Sequence, residues 1–291
     1  MGKMPPWRRR AAKVCMLTEK DRPSRWSLRT LGFVLAIAVI SLGLTGSAEA
    51  LELSRSDAMR IGRKIWQNEC AGTVAGLTSW NTGENFASLG IGHFIWYPKG
   101  VRGPFEESFP DLMAYVANRA AKLPEVALRN RDGCPWQSRA QFNAASQSAE
   151  MKELRQFLAE TVDLQAQFLV QRLQQALPKM LAKSRPAGGG NLQRQFDRVA
   201  TTPQGCYALV DYVNFKGEGV LDSERYHGQG WGLLQVLEGM TGIESGRAAA
   251  QEFSSSAKKV LTQRVKNSPP ERNEGRWLSG WLQRVNSYAQ N

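Results

Sequence analysis

The sequence predicts an α+β fold that is mainly α. Apolar residues recur at helical spacing along most of the chain after residue 53. One stretch, residues 73–97, is instead rich in Gly, Thr, Asn and aromatic residues, which favours a hairpin or a small sheet. The 241 residues after position 50 are enough for one sizeable domain and hardly enough for two. We therefore expect a single domain over residues 51–291.

The first 50 residues have the pattern of an export signal. Residues 1–30 carry nine Lys and Arg against two acids, and an apolar run of about 14 residues follows. An A-x-A site ends at Ala50, so we expect a secretory signal peptide over residues 1–50 that is cleaved after Ala50. An uncleaved membrane anchor is the alternative, but spanning a bilayer takes roughly 20 apolar residues. The protein is expected to be periplasmic or secreted, with the membrane involved only through this signal.

The predicted domain begins with a helix. Ser54 and Asp57 form a capping pattern at its start, and the helix should end near Gly72. Its apolar positions lie on one face: Ala58, Ile61 and Ile65. After the hairpin region, helical spacing returns over residues 110–123, and a polar connection is expected over residues 129–137.

The second half of the chain is predicted as a series of helices. A long helical pattern covers residues 149–182, where Pro178 is expected to break or kink the helix. Residues 185–190 predict a loop, and residues 216–232 are rich in glycine. Further helices are expected in four stretches: residues 206–214, 231–240, 245–266 and 277–288.

Charge and composition narrow the functional classes. The formal net charge is +12, of which +6 remains after the first 50 residues are removed. This mildly basic balance suits a polyanionic wall polymer, and no basic cluster interleaved with aromatic residues favours nucleic acid. With two histidines and no C-x-x-C pattern, we expect no metal and no cofactor. Of the four cysteines, the three that follow residue 50, Cys70, Cys134 and Cys206, predict one disulfide and one free thiol in an oxidising compartment, with the pair left open.

Glu69 is the first candidate for chemistry. It continues the apolar stripe of the first helix, four residues after Ile65. A carboxyl group at the end of such a stripe is partly desolvated, which favours its uncharged form, so it can hold a proton and donate it. The alternative is a glutamate that has merely reached the surface at the helix end.

The stretch SLGIGH, residues 88–93, is the second candidate. Strand alternation would place Ser88, Gly90 and Gly92 on one face, and His93 with two apolar residues on the packed face. A bare glycine face in a strand indicates that a ligand or another chain approaches closely. Downstream, Trp96 either stacks on sugar rings or lies in the core.

These motifs resemble those of the phage-type lysozyme and endolysin family. There, a helix-borne catalytic Glu precedes a short β-hairpin that carries a Thr and a glycine-rich stretch ending in His, as Glu69 precedes ENFASLGIGH here. The stretch ALVDYVNFKGEG, residues 208–219, is similar to a C-lobe segment of the family, and RNEGRWLSGWLQRV, residues 272–285, is weakly similar to its closing helix. The resemblance implies a lysozyme-like fold with a helical C-lobe and a small β-hairpin N-lobe.

The resemblance also implies roles for individual residues. Glu69 matches the general acid that protonates the glycosidic oxygen. Ser88 matches the Thr that positions the attacking water, and His93 matches a structural histidine that holds the hairpin. The second carboxylate of the family falls on Thr82 here. Either Glu84 takes the role of base from a longer loop, or no second carboxylate is needed, as in lytic transglycosylases, where the N-acetyl group of the substrate assists.

A second polar, glycine-rich region supplies substrate-groove candidates. The phrase GWGLLQ within residues 228–237 is weakly similar to an element that lines the groove of lytic transglycosylases. The residues expected to contact substrate there are Glu218, Gln229, Trp231 and Gln235. Asp211 and Asn214, one helical turn apart, either bond an N-acetyl group or cap and brace their helix. An ordinary turn followed by an amphipathic helix is the alternative for this region.

Together these features predict an exported, monomeric, peptidoglycan-cleaving glycosidase, either a muramidase or a lytic transglycosylase, with Glu69 as general acid. Its expected partner is the glycan strand of peptidoglycan. The alternative is a non-catalytic wall-binding or scaffold protein on a lysozyme-like fold, because a fold alone specifies function poorly. The missing Asp and the glycine-rich insertions motivate this alternative.

Overall fold

A computed structural model describes residues 53–103, 105–119, 121–184 and 189–290. They all belong to one compact unit of the chain. The predicted signal peptide and its cleavage site after Ala50 lie outside the described residues. Within the described ranges, no helix combines the length and the apolar character that crossing a bilayer requires.

The described residues form eleven α-helices. In chain order they are α1 Arg55–Cys70, α2 Phe109–Ala117, α3 Glu125–Arg129, α4 Arg139–Ala144, α5 Ala149–Glu160, α6 Val162–Lys183, α7 Gly189–Ala200, α8 Pro203–Lys216, α9 Leu233–Glu238, α10 Arg247–Asn267 and α11 Gly275–Asn286. The predicted mainly helical α+β class is therefore confirmed.

Two small antiparallel sheets accompany the helices. The first has the order β1-β2-β3, with β1 Thr78–Ser79, β2 Ala87–Leu89 and β3 Phe94–Trp96. Ser88 of β2 lies opposite Ser79 of β1 and Ile95 of β3. The second sheet pairs β4 Arg225–Tyr226 with β5 Gln229–Gly230 in the glycine-rich segment.

The first helix starts and packs as its sequence predicts. Ser54 caps α1 by accepting a hydrogen bond from the Asp57 amide at 3.1 Å. The stripe of Ala58, Ile61 and Ile65 is buried. α1 packs against α6 at Gly62, where a Cβ atom would lie 2.6 Å from a methyl carbon of Val162. Only glycine therefore allows the two helices to approach this closely.

The predicted strand through SLGIGH is wrong beyond Leu89. Residues 90–93 form the turn between β2 and β3, and both Gly90 and His93 have left-handed backbones, with φ of 69° and 49°. Strand alternation therefore does not apply to this turn. Nor are its glycines bare toward a ligand, because a Cβ at Gly92 would lie 2.7 Å from the Phe94 ring and 3.1 Å from Leu169 of α6.

Gln165 fastens this turn to the helices. Its side chain is fully buried in α6, and its Oε1 accepts a hydrogen bond from the Ile91 amide at 2.9 Å. Its Nε2 donates to the Leu158 carbonyl at 2.7 Å and to the Thr161 hydroxyl at 3.1 Å. One amide group thus ties the hairpin turn to the junction of α5 and α6.

Three further sequence predictions need correction. The long helical pattern breaks at Thr161, between α5 and α6, and α6 continues through Pro178. The glycines of the predicted loop run into α7, a helix that the sequence did not predict. The expected disulfide is absent, since the three cysteines that the structure describes are free and buried.

Candidate functional site

Glu69 lies in the last turn of α1, where the helix leaves the core. The backbone turns immediately afterwards, at Ala71, which has a left-handed φ of 52°. Three stripe residues below Glu69 are almost fully buried, whereas its own side chain keeps 14 % of its surface exposed. The carboxyl group is thus enclosed by protein on most sides but can still be reached by solvent.

Arg284 joins Glu69 to a second, buried carboxylate. From α11, its Nη2 donates to Glu69 Oε1, and its Nε and Nη2 donate to the two oxygens of Asp211, each at 2.8 Å. Asp211 lies on α8, has no exposed surface, and also accepts hydrogen bonds from the Tyr288 hydroxyl at 2.6 Å and from Asn68 at 3.2 Å. One guanidinium group therefore donates hydrogen bonds to both carboxylates.

The two carboxylates are not equivalent. Burial alone would lower the pKa of Arg284, but the hydrogen bonds and the charge of Asp211 raise it, with a smaller contribution from Glu69. Asp211 is held by four hydrogen bonds in a site without solvent, so it remains the compensating charge for Arg284. The pairing of Arg284 with Asp211 therefore does not depend on Glu69.

His93 approaches the other oxygen of Glu69. Its Nδ1 lies 3.6 Å from Glu69 Oε2, and its Nε2 lies 3.9 Å from the sulfur of Cys70. The ring is a third exposed, so the prediction that His93 lies on a packed strand face is wrong. Its left-handed backbone turns the imidazole from the hairpin turn toward the end of α1 instead. Burial, reinforced by the nearby Glu69 charge, raises the pKa of the Cys70 thiol to about 12, so Cys70 is protonated.

Asn214 is the predicted substrate-contact residue that reaches Glu69. It lies near the end of α8, one helical turn after Asp211, and its Nδ2 donates to Glu69 Oε1 at 3.4 Å. Three elements that are distant in sequence therefore converge on one carboxyl group: α8, α11 and the hairpin turn.

The two other predicted catalytic residues have different surroundings. Ser88 lies in the middle strand of the first sheet with 3 % of its surface exposed, and its carbonyl accepts from Ser79 at 3.4 Å. Glu84 lies on the loop before β2, where Asn81 donates to its carboxylate at 3.1 Å. Among the described residues, neither side chain makes a hydrogen bond or an ion pair with Glu69, Asp211 or Arg284.

Trp96 lies in the core. Only 2 % of its surface is exposed, and its ring packs against Phe109 at 4.7 Å and Trp136 at 6.3 Å between centroids. The core alternative for Trp96 is confirmed, and the ring is not available to stack on a sugar.

The glycine-rich segment is braced largely by its own polar residues. Gln235 accepts from the Gly232 amide at 3.0 Å and donates to the Gly219 carbonyl at 3.1 Å, so its predicted contact with substrate is replaced by a structural one. Trp231 is buried under the Arg264 guanidinium, which lies 4.1 Å from the ring.

The other two predicted groove residues lie nearer the surface. Glu218 pairs with Lys179 at 3.6 Å, and exposed Gln229 accepts from Asn267 at 2.8 Å.

Sequence reasoning missed Arg284 and the full role of Asp211. A signal for Asp211 was present, because an acidic residue inside the apolar run ALVDYV must find a partner if it is buried. Nothing in the sequence identified which of the many arginines supplies it, since Arg284 lies 73 residues away. Lys216 was also missed, although it lies inside the segment that carries the resemblance.

Lys216 lies at the end of α8 beside this cluster. Its Nζ lies 3.3 Å from the centroid of the Trp281 ring and 3.9 Å from that of Phe215. Burial, followed by the positive charge of Arg264, lowers the pKa of Lys216 to about 6. The acids Glu274 and Glu69 act in the opposite direction but do not offset the burial.

Other parts of the described surface offer less chemistry. A cavity of about 240 Å³ lies beside the hairpin, between residues 97–102, Glu107 and residues 132–133, and Glu69 does not line it. Within the described ranges, no group of three His, Cys, Asp or Glu side chains could hold a metal ion.

Comparisons of the chain with models of protein families, with curated proteins and with solved structures found no match. Functional interpretation therefore depends on the geometry around Glu69.

Proposed function

We propose that the protein is an exported, lysozyme-like enzyme that cleaves the glycan strands of peptidoglycan, with Glu69 as general acid. The observation that carries this function is the arrangement of Glu69, Arg284 and Asp211. Because Asp211 is the buried partner of Arg284, proton transfer at Glu69 would not leave a buried cation unpaired. The Glu69 carboxyl group is largely enclosed by protein yet reachable by solvent, which meets the geometric requirement for a group that must contact a bound substrate.

The proposed reaction begins with proton donation from Glu69 to the glycosidic oxygen. The C–O bond then breaks, the leaving sugar keeps the proton, and positive charge develops on the ring that remains. The ionised Glu69 left behind is stabilised by Arg284 and by Asn214, both of which already contact Oε1. His93 lies at Oε2 and orients the carboxylate from the other side.

The surroundings of Glu69 favour a lytic transglycosylase product over a hydrolytic one. Hydrolysis by two carboxylates needs a second one free to act as base or nucleophile. The second carboxylate at this site, Asp211, is fully buried and bonded to Arg284 and Tyr288. The N-acetyl group of the substrate can assist instead, and the O6 hydroxyl of the same sugar then attacks C1, returns its proton to the ionised Glu69 and closes a 1,6-anhydro ring without water.

The test compares purified protein with its Glu69→Gln variant on isolated sacculi. Glutamine keeps the acceptor for Arg284 but cannot donate the proton, so we expect a loss of about 10²- to 10⁴-fold in the rate of glycan release. Glu160→Gln, on the exposed end of α5, is the matched control and should retain full activity. Equal activity in wild type and Glu69→Gln would overturn the proposal, and mass spectrometry of the fragments separates anhydro from reducing ends.

A non-catalytic wall-binding protein is the second candidate. The burial of Ser88 and the ion pair between Glu69 and Arg284 favour it, because both are also what a purely structural site would show. Glycan pull-down without any cleavage after long incubation would support this function, whereas any product that depends on Glu69 would exclude it.

A further inference from the structure

One face of α11 carries aromatic residues outward from Glu69. Trp277, Trp281 and Arg284 are spaced four and three residues apart, which places them on the same side of the helix. Arg284, at the inner end, bonds Glu69, and Trp277, at the outer end, is 43 % exposed. Burial thus decreases steadily along this face.

The aromatic rings form a continuous surface from the candidate site to solvent. The Arg284 guanidinium lies 4.1 Å from the Phe215 ring centroid. Phe215 then meets Trp281 edge-on at 6.3 Å, and Trp281 stacks with Trp277 at 6.0 Å and an interplanar angle of 29°. Trp277 is exposed and Trp281 is partly buried, so this aromatic surface is open to another molecule at its outer end.

Each tryptophan of this pair has a cation beside it. Lys216 lies over Trp281, as described above, and the Arg276 guanidinium lies 4.3 Å from the Trp277 centroid. Among the described residues, neither cation has a carboxylate within 4.0 Å. The two neighbouring arginines differ in this respect, because Arg264 is paired with Glu274 and Arg284 with Asp211. Two basic groups without a paired carboxylate therefore border the aromatic surface: Arg276 at its exposed outer end, and the largely buried Lys216 at the end of α8.

We propose that Trp277, Trp281, Lys216 and Arg276 form a subsite for an acidic glycan, in which sugar rings stack on the indoles and a carboxylate on the sugar pairs with Lys216. This subsite rests on the function proposed for Glu69 for the identity of its ligand. It goes further by selecting sugars that carry a carboxylate over neutral ones. The spacing of the two indoles is on the scale of one sugar ring, which suits neighbouring sugars of a single strand.

The chemistry of the four side chains matches the two halves of such a ligand. The C–H face of a pyranose ring packs on an indole as other apolar surfaces do, and a carboxylate accepts strong charge-assisted hydrogen bonds from an ammonium group. Lys216 is the group whose state changes, because burial lowers its pKa to about 6 and an incoming carboxylate favours its protonated form. The charged groups that face it are Arg264, Glu274, Arg284 and Glu69.

Binding is measured by calorimetry at pH 6 with two probes of equal length. One is a tetrasaccharide of alternating N-acetylglucosamine and N-acetylmuramic acid, and the other is the neutral N-acetylglucosamine tetrasaccharide. All variants carry Glu69→Gln, so that cleavage cannot disturb the titration. The added substitutions are Trp277→Ala and Lys216→Met, with Phe105→Ala as the control, because Phe105 is also an exposed aromatic residue but lies beside the hairpin.

The two substitutions have different expected signatures. Trp277→Ala should weaken both probes by about three- to tenfold, since it removes stacking from either sugar. Lys216→Met should weaken the acidic probe by about tenfold and the neutral probe by less than about twofold. Phe105→Ala should change neither. Unchanged binding of the neutral probe also demonstrates that Lys216→Met is folded.

The pH dependence gives a second readout that a merely structural lysine would not produce. Affinity for the acidic probe should fall as the pH rises from 6 to 8, by at most about tenfold per unit, because one proton is then taken up with the carboxylate. Lys216→Met should flatten this dependence, and the neutral probe should not display it.

Each remaining outcome decides between the two proposals. If cleavage by the wild-type protein depends on Glu69 but both probes bind Trp277→Ala and Lys216→Met normally, the proposed subsite is contradicted and the proposed enzymatic function is retained. If the binding signatures appear without any cleavage, the subsite stands and the proposed enzyme fails. If neither probe binds the protein, the proposed subsite is overturned. It is also overturned if Trp277→Ala and Lys216→Met lose binding to anionic phospholipid vesicles but bind both glycan probes normally.

Discussion

Two buried clusters of arginine and glutamate or aspartate lie close together in this protein, and their charges are balanced in opposite ways. In one, Arg284 is shared by two carboxylates, Asp211 and Glu69. In the other, Glu274 is shared by two arginines, with Arg264 at 2.8 Å and Arg272 at 3.9 Å. The first cluster has a surplus acid at its exposed edge, and the second has a surplus base at its exposed edge.

This difference distinguishes Glu69, the carboxyl group with a proposed catalytic role, from Glu274, which stabilises the fold. Asp211 pairs with Arg284 independently of Glu69, which leaves Glu69 free for the general-acid role proposed for it. Glu274 has no such freedom: although burial opposes it, hydrogen bonds from Arg264 and Tyr226 hold its pKa below the usual value. The same two residue types thus serve a proposed reaction in one cluster and stabilise the start of α11 in the other.

The largest effect is expected from Asp211→Asn. This change leaves Arg284 without its buried counter-ion, so we expect a loss of about 3–5 kcal/mol in the free energy of unfolding, measured by urea denaturation. Asp111→Asn, an exposed position on α2, should stay within about 0.5 kcal/mol of wild type. A loss below about 1 kcal/mol for Asp211→Asn would mean that Glu69 alone can compensate Arg284.

A smaller loss, about 2–3 kcal/mol at neutral pH, is expected from Glu274→Gln. Because the folded-state pKa of Glu274 lies below its usual 4.5, the stabilisation is present above that value and disappears as the pH falls through the folded-state pKa. The difference between wild type and Glu274→Gln in thermal unfolding should therefore shrink below about pH 4.5. Glu271→Gln, exposed in the preceding turn, is the control, and a difference independent of pH would contradict this account.

The smallest effect on stability is expected from Glu69→Gln. The substitution removes only the surplus carboxylate and keeps an oxygen that accepts from Arg284, so the free energy of unfolding should change by less than about 1 kcal/mol. Urea denaturation of the variant already made for the activity test supplies the measurement. A loss above about 2 kcal/mol would contradict the distinction between the two clusters, because Glu69 would then stabilise the fold as Glu274 does.

Local features were predictable from the sequence because their causes are local. The Ser54 cap, the buried stripe of α1 and the position of Glu69 at its end all follow from spacings of three and four residues. The glycine-rich turn was mistaken for a strand because an apolar, glycine-containing alternation does not reveal a positive φ. His93 adopts φ of 49°, which few residues other than glycine do, and this one angle turns its side chain toward Glu69.

Long-range pairing was not predictable in the same way. The acidic residue Asp211 within an apolar run indicated that a buried partner of opposite charge exists. Which residue that partner is depends on how α8 and α11 pack. Trp96 and Trp231 illustrate a related limit, because the aromatic residues of a binding surface and of a core have the same composition. Trp277, at the exposed end of a helix that the sequence predicted, is one of two aromatic residues, with Phe105, that are exposed in the described part of the chain.

The bonds of Gln165 have a mechanical consequence. Its amide group holds the Ile91 amide on one side and the end of α5 on the other, and α6, which carries it, packs directly on α1. The hairpin turn with His93 and the helix end with Glu69 are thereby parts of one rigid frame. Any opening motion that admits or releases a polymer must be centred away from this junction, since swinging the turn would either break the buried hydrogen bond between Ile91 and Gln165 or pull the Gln165 amide away from Leu158 and Thr161.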